Sequence, residues 1–236
     1  MAKNQAPQSL DLEATISKTE AFVNKNKKII ITTIVALIAV VVAVFAGHAW
    51  LSKREAKASA QLQQGMQYFM QGSDEGYTKA LNGEGQYKGF TKISKDYSWT
   101  DAANLAHAYA GECYAHLGKY KEAIKELEAF SPKGDVSVSP AVIGCLGDCY
   151  VADGQTDKAI DTFKKAASKA DNESLSPVYL LKAAQILESQ KKYAEAKALY
   201  EQIKKDYPTS ALAMPQQQGA SFSSPEIDKY IERATR

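Results

Sequence analysis

From Ile29 to Leu51 the chain reads IIITTIVALIAVVVAVFAGHAWL, 23 residues without a charge and interrupted only by Thr, Gly and His. As a helix this run is about 34 Å long, enough to cross a hydrocarbon core of about 30 Å with some tilt. Its many Ile and Val residues are mediocre helix formers in water. In lipid, every backbone group must pair within the segment, so a helix is forced. Trp50 stands where an interfacial aromatic belongs, and Lys53 and Arg54 follow it. The pattern predicts a transmembrane helix over 29–51. A cleaved signal peptide is the rival reading, with Gly47-His48-Ala49 as its cleavage site. Against it, 28 residues precede the run, and the run exceeds the usual apolar region of about 7–15 residues. Lys18, Lys25, Lys27 and Lys28 flank one side, and Lys53, Arg54 and Lys57 the other. That four-to-three bias favours a cytoplasmic N-terminus.

Within residues 1–28, positions 9–24 (SLDLEATISKTEAFVN) suit a short amphipathic helix. Ser9 is placed to cap it, Asp11 and Glu13 suit its first turn, and Leu12, Ile16, Thr19 and Val23 fall near one face. A helix on the membrane surface, one docked on a partner and a frayed juxtamembrane helix all fit this pattern.

Beyond the apolar run, three segments share one spacing. His107-x2-Ala110-Gly111-x2-Tyr114 is followed by Ala123-x3-Leu127, and Ile143-x2-Leu146-Gly147-x2-Tyr150 by Ala159-x3-Phe163. Leu180-x2-Ala183-Ala184-x2-Leu187 is followed by Ala196-x3-Tyr200 and ends at Pro208. The glycine slots lie 36 and then 37 residues apart, and residue 114, 150 or 187 precedes its alanine by nine. Each segment predicts two helices that approach closely where the small residues 111, 147 and 184 face Ala123, Ala159 and Ala196. Gly118 and Gly154 suit the turns between them. Ser131-Pro132-Lys133-Gly134-Asp135 and Asp171-Asn172-Glu173-Ser174 carry the turn chemistry that joins one pair to the next.

A degenerate unit precedes these, since Phe90-Thr-Lys-Ile93-Ser-Lys-Asp96-Tyr97 aligns with Tyr200-Glu-Gln-Ile203-Lys-Lys-Asp206-Tyr207. Residues 52–71 then form its first helix. The predicted organisation is 1–28 N-terminal segment, 29–51 transmembrane helix, 52–99 linking helix and degenerate unit, and 100–208 three repeats. Residues 209–224 read as a flexible linker, and 225–236 as a helix that caps the open end of the stack.

These repeats resemble the tetratricopeptide repeat (TPR), whose period is about 34 residues. The resemblance implies an all-α fold, a helical solenoid behind the N-terminal transmembrane helix. It also implies a concave groove lined by set positions of each first helix. Carried onto this chain, those positions are Leu105, Ala108, Glu112 and Ala115, then Ala141, Gly144, Asp148 and Val151, then Val178, Leu181, Gln185 and Glu188. None is Lys or Arg, so a clamp for a partner's carboxylates is not expected. The small residues imply room for an apolar or basic helix or extended segment. A groove filled by the chain's own C-terminal helix, or simply solvated, is the alternative.

A narrower resemblance concerns the layout: Phe22-Val23-Asn24-Lys25-Asn26-Lys27, an apolar run ending at Trp50, then a helix leading into the repeats. It looks like the YfgM type of ancillary subunit of the bacterial Sec translocon. The Lys- and Tyr-rich repeats preceded by Gly83-Glu84-Gly85-Gln86-Tyr87 look like Bacteroidetes members of that group. The resemblance implies a single-pass protein of the bacterial inner membrane, N-terminus cytoplasmic and repeats periplasmic. Its implied partners are proteins: Sec translocon subunits, a membrane-anchored periplasmic chaperone and secreted clients. A structural scaffold that tethers another envelope complex is the competing class, and a cytoplasm-facing adaptor is a third that needs the reverse topology.

Charge narrows the partners further. Five of the 29 basic and three of the 27 acidic residues precede the apolar run, which leaves 24 of each after it. Nucleic acid is therefore not an expected partner. Cys113, Cys145 and Cys149 are too few for a disulfide scaffold. Cys145 and Cys149, four apart on one helix, are poorly placed to bridge. Cys113 with His116 lacks the second ligand pair zinc needs. No phosphate-binding loop, metal motif or nucleophile elbow occurs. The expectation is a non-enzyme without cofactor or small-molecule substrate.

Overall fold

The structure, a computed structural model, describes residues 12–215, 217–218, 221–222 and 224–235. The expected N-terminal cap at Ser9 and the acidic Asp11 lie outside them. The described part is almost entirely helical, and the chain divides into two compact units, Met1–Lys53 and Arg54–Arg236.

Helix α1 (Leu12–Phe69) supplies all the secondary structure described in the first unit. Its apolar stretch is unburied throughout, with Phe45 72% exposed. The two threonines that interrupt it turn inward. Thr32 Oγ1 donates to the carbonyl of Lys28 at 2.8 Å and Thr33 Oγ1 to that of Ile29 at 2.9 Å. Their hydroxyls are thus satisfied without water. The helix is long and apolar enough to cross a membrane.

The second unit starts with the end of α1 and continues through α2 (Asp74–Asn82), α3 (Phe90–Asp96), α4 (Asp101–His116) and α5 (Tyr120–Ala129). Then come α6 (Val138–Ala152), α7 (Thr156–Ala170), α8 (Ser176–Ser189), α9 (Tyr193–Asp206) and α10 (Glu226–Arg233). Helices α4 to α9 form three consecutive pairs, each helix packing on the next. The three intra-pair turns share one geometry. The N–H groups of Lys119, Gln155 and Lys192 donate to the carbonyls of Tyr114, Tyr150 and Leu187 at 2.9, 2.8 and 2.9 Å. A left-handed residue must sit just before each donor. Gly118 (φ 70°) and Gly154 (φ 78°) take that place cheaply, while the third turn imposes it on Lys191 (φ 59°).

The packing inside the first two pairs differs in one respect from the small-on-small expectation. A Cβ on Gly111 would sit 2.4 Å from Leu127 Cγ, and one on Gly147 would sit 2.7 Å from the Phe163 ring. A large side chain of the second helix therefore rests directly on each glycine. Tyr150 donates its hydroxyl to Glu128 at 2.5 Å, and burial pushes its pKa up to about 12.

The degenerate unit is more elaborate than expected. Ile93 and Ile203 are both fully buried, and Tyr97 and Tyr207 cap their helices by donating to the carbonyls of Ile93 and Ile203. Between α1 and α3, however, stands the extra helix α2, capped by Ser73, whose hydroxyl accepts from Gly76 N at 3.1 Å. At the far end, the expected linker carries two paired two-residue strands. There β1 (Gln217–Gln218) pairs antiparallel with β2 (Ser221–Phe222). Helix α10 then packs on α9, with Ile227 fully buried.

Candidate functional site

The first helices of neighbouring pairs, α4 and α6, leave a groove between them with a cavity of about 370 Å³. Leu105, Ala108, Tyr109 and Glu112 line it from α4, and Val138, Ala141 and Val142 from α6. The loop before α6 is rigidified by Asp135, whose carboxylate accepts from Ser137 N (3.1 Å), Ser139 N (2.9 Å) and Ser139 Oγ (2.5 Å). These bonds, the one from the Ser139 hydroxyl foremost, hold the Asp135 carboxyl down at about 2. Asn172 repeats the device before α8, its side-chain oxygen accepting from Ser174 N at 3.0 Å and Leu175 N at 2.8 Å.

Glu112 is the one acidic group of this cavity. It is half-buried and makes no hydrogen bond or ion pair among the described residues. Desolvation raises its pKa above the usual glutamate value. An unpartnered carboxylate among apolar side chains favours a cation, because pairing recovers electrostatic stabilisation lost with its hydration.

The twelve expected groove residues fall into three groups. Leu105, Ala108, Glu112 and Ala141 come together in the α4/α6 cavity. Ala115 is half-buried further along α4, and Val151, Val178 and Gln185 are exposed. The remaining four meet groups of the chain itself. Gly144 is buried beneath the Tyr179 ring, where an added Cβ would come within 2.3 Å of Tyr179 Cε1. The expected room beside a glycine is therefore taken by the chain's own aromatic. Lys182 Nζ lies 2.7 and 2.8 Å from the two Asp148 oxygens. Leu181 is half-buried beside Lys182. Glu188 accepts from Tyr200 Oη at 2.7 Å and from Arg233 at 3.0 and 2.5 Å. Arg233 chiefly, through these hydrogen bonds, keeps the Glu188 pKa low.

Sequence reasoning missed Tyr109, Val138, Lys182 and Arg233. Tyr109 and Val138 were legible as neighbours of Ala108 and Ala141 on the same helices. The two cations were not, because their partners lie 34 and 45 residues away. Nor do the histidines and thiols form a centre. His107 shares a 2.7 Å hydrogen bond with Glu126, and His116 stacks on Tyr77 with centroids 4.5 Å apart. Burial pushes the Cys113 thiol up to about 12, and all three cysteines are free.

Among known families, the tetratricopeptide repeat matches residues 146–172 and 179–210. These cover most of the second and third helix pairs. The chain is thus an N-terminal long apolar helix followed by TPR helical repeats, a fold that mediates protein–protein interaction. No curated protein matches the chain.

Proposed function

We propose that this is a membrane-anchored TPR module in which the α4/α6 groove receives a segment of another protein. The observation that carries this reading is Glu112, a half-buried carboxylate unpaired among described residues, in an otherwise largely apolar cavity of about 370 Å³. The segment that fits presents apolar side chains to Leu105, Ala108 and Val142 and a Lys or Arg to Glu112. Second-helix packing supplies the rigid frame, and the Asp135 turn holds the groove wall at Val138 in place.

In this reading residues 29–51 span the inner membrane of a bacterium, with the N-terminus cytoplasmic and the repeats periplasmic. Support comes from the uncharged 23-residue run, its inward-bonded threonines and the lysine bias. The layout resembling YfgM-type subunits supports a place at the Sec translocon, beside a membrane-anchored periplasmic chaperone and secreted clients. The chain is then a receiver of emerging proteins and performs no catalysis. A photo-crosslinking residue at Ala141 in native membranes, followed by identification of the adduct, tests this. Translocon subunits or secreted chains are the expected adducts. Recovery of a stable envelope complex would make the chain a scaffold instead, and no adduct at Ala141 would remove the groove as the binding surface. Thiol labelling of intact cells at position 168, against position 9, in a chain stripped of its own cysteines tests the topology. Labelling at 9 alone would reverse it.

A further inference from the structure

Trp99 combines two properties that isolated side chains rarely share. It is 86% exposed, and its backbone is left-handed at φ 72°. Left-handed backbone is strained for any residue with a Cβ, most of all a bulky one, and an indole in water gains nothing to offset it. Such a residue persists where its side chain meets something outside the fold.

The loop carrying Trp99 is gripped at both ends by the two residues that open the second unit. Arg54 Nη2 donates to the carbonyl of Asp96 at 2.5 Å, and its guanidinium lies 5.6 Å from the Tyr97 ring centroid. Glu55 accepts from the N–H groups of Asp101 at 2.7 Å and Ala102 at 3.2 Å. Arg54 follows Leu51, the last residue of the apolar run, with only Ser52 and Lys53 between them. The loop is therefore tied to Arg54 and Glu55, the first two residues of the second unit. Lys88 adds a second cation over Tyr97, 5.1 Å from its centroid. An exposed indole beside an aromatic ringed by cations is the composition that partitions to the headgroup region of a bilayer, the apolar ring toward the acyl chains and the cations toward phosphate.

We propose that the Tyr97–Thr100 loop is a second membrane contact, in which Trp99 inserts at the lipid interface and holds the repeat unit against the bilayer surface. This rests on the reading of residues 29–51 as a span. The full-length chain, reconstituted in phosphatidylcholine–phosphatidylglycerol vesicles with acyl chains brominated near the headgroup, separates the two. Trp50 and Trp99 are the only tryptophans, so Trp50→Phe reports Trp99 alone and Trp99→Phe reports Trp50 alone. Both variants are expected to lose fluorescence in brominated vesicles relative to plain ones, with Trp99 blue-shifted from its emission in detergent-free urea. Quenching of Trp50 with an unquenched, red-emitting Trp99 would overturn the proposal and leave the span standing. Failure of both to quench would overturn the span and the proposal together.

Discussion

The Tyr179 ring lies over Gly144, so close that a methyl group at position 144 would stand 2.3 Å from Cε1. This contact joins α6 to α8. Gly144→Ala is expected to lower stability by about 1–3 kcal/mol, the usual cost of overpacking a well-filled contact. Tyr179→Leu, which removes the ring, relieves that clash, so the double variant should be more stable than the two single effects predict. Thermal melts of the four chains decide it. Strict additivity would mean the ring moves aside freely.

Glu112 gives a prediction whose sign depends on pH. Burial raises its folded-state pKa, so ionisation costs the fold stability as pH climbs from the ordinary glutamate range through the raised value. At pH 4 that cost is largely absent, and at pH 7 it is present. Glu112→Gln should therefore stabilise the chain at pH 7 by roughly 1 kcal/mol, the low end for an unpaired polar group, and by less at pH 4. The same substitution should weaken partner capture at Ala141. A stabilising change that costs binding is the mark of a carboxylate held for a partner.

Trp99 offers a comparable trade. Glycine tolerates φ 72° and the indole buries little, so Trp99→Gly is expected to raise stability by about 1 kcal/mol in detergent. Trp99→Ala keeps the Cβ and should give little or none of that gain. A lower melting temperature for the glycine variant would show that the indole packs on the fold and that its exposure is not free.

How much of this was visible beforehand depended on distance along the chain. The pair turns were legible because glycine at 118 and 154 supplies a backbone conformation that few residues accept. The match of Phe90–Tyr97 to Tyr200–Tyr207 was legible too, since Ile93 and Ile203 sit at the same helical phase and are equally buried. Helix α2 was not, because its nine residues, three of them charged, have no counterpart in the repeat spacing. The groove was legible only by position. Spacing puts Asp148 and Glu188 among the expected groove positions, but their partners Lys182 and Arg233 come from other elements, and no local pattern announces them. Glu112 stood out only once its neighbours were known to be apolar.

The last prediction concerns the end of the stack. A helical solenoid needs a polar cover on its final helix, or that helix presents an apolar face to water. Here α10 is the cover. Ile227 is fully buried, Tyr230 packs on Tyr200 with centroids 5.4 Å apart, and Lys204 meets Asp228 at 2.6 Å. The ion pair is half-exposed and contributes little, so Lys204→Ala should change stability by less than about 1 kcal/mol. Ile227→Ala leaves a cavity against α9 and should cost about 2–4 kcal/mol. Arg233 occupies the carboxylate of Glu188, so Arg233→Ala would free a partly buried acid, the last of the twelve expected groove residues, while leaving Ile227 in place. Hydrogen exchange separates these effects. Ile227→Ala should speed exchange along α9 and spare α4, whereas uniform acceleration through all three pairs would mean the stack unfolds as one body and α10 is not a local cap.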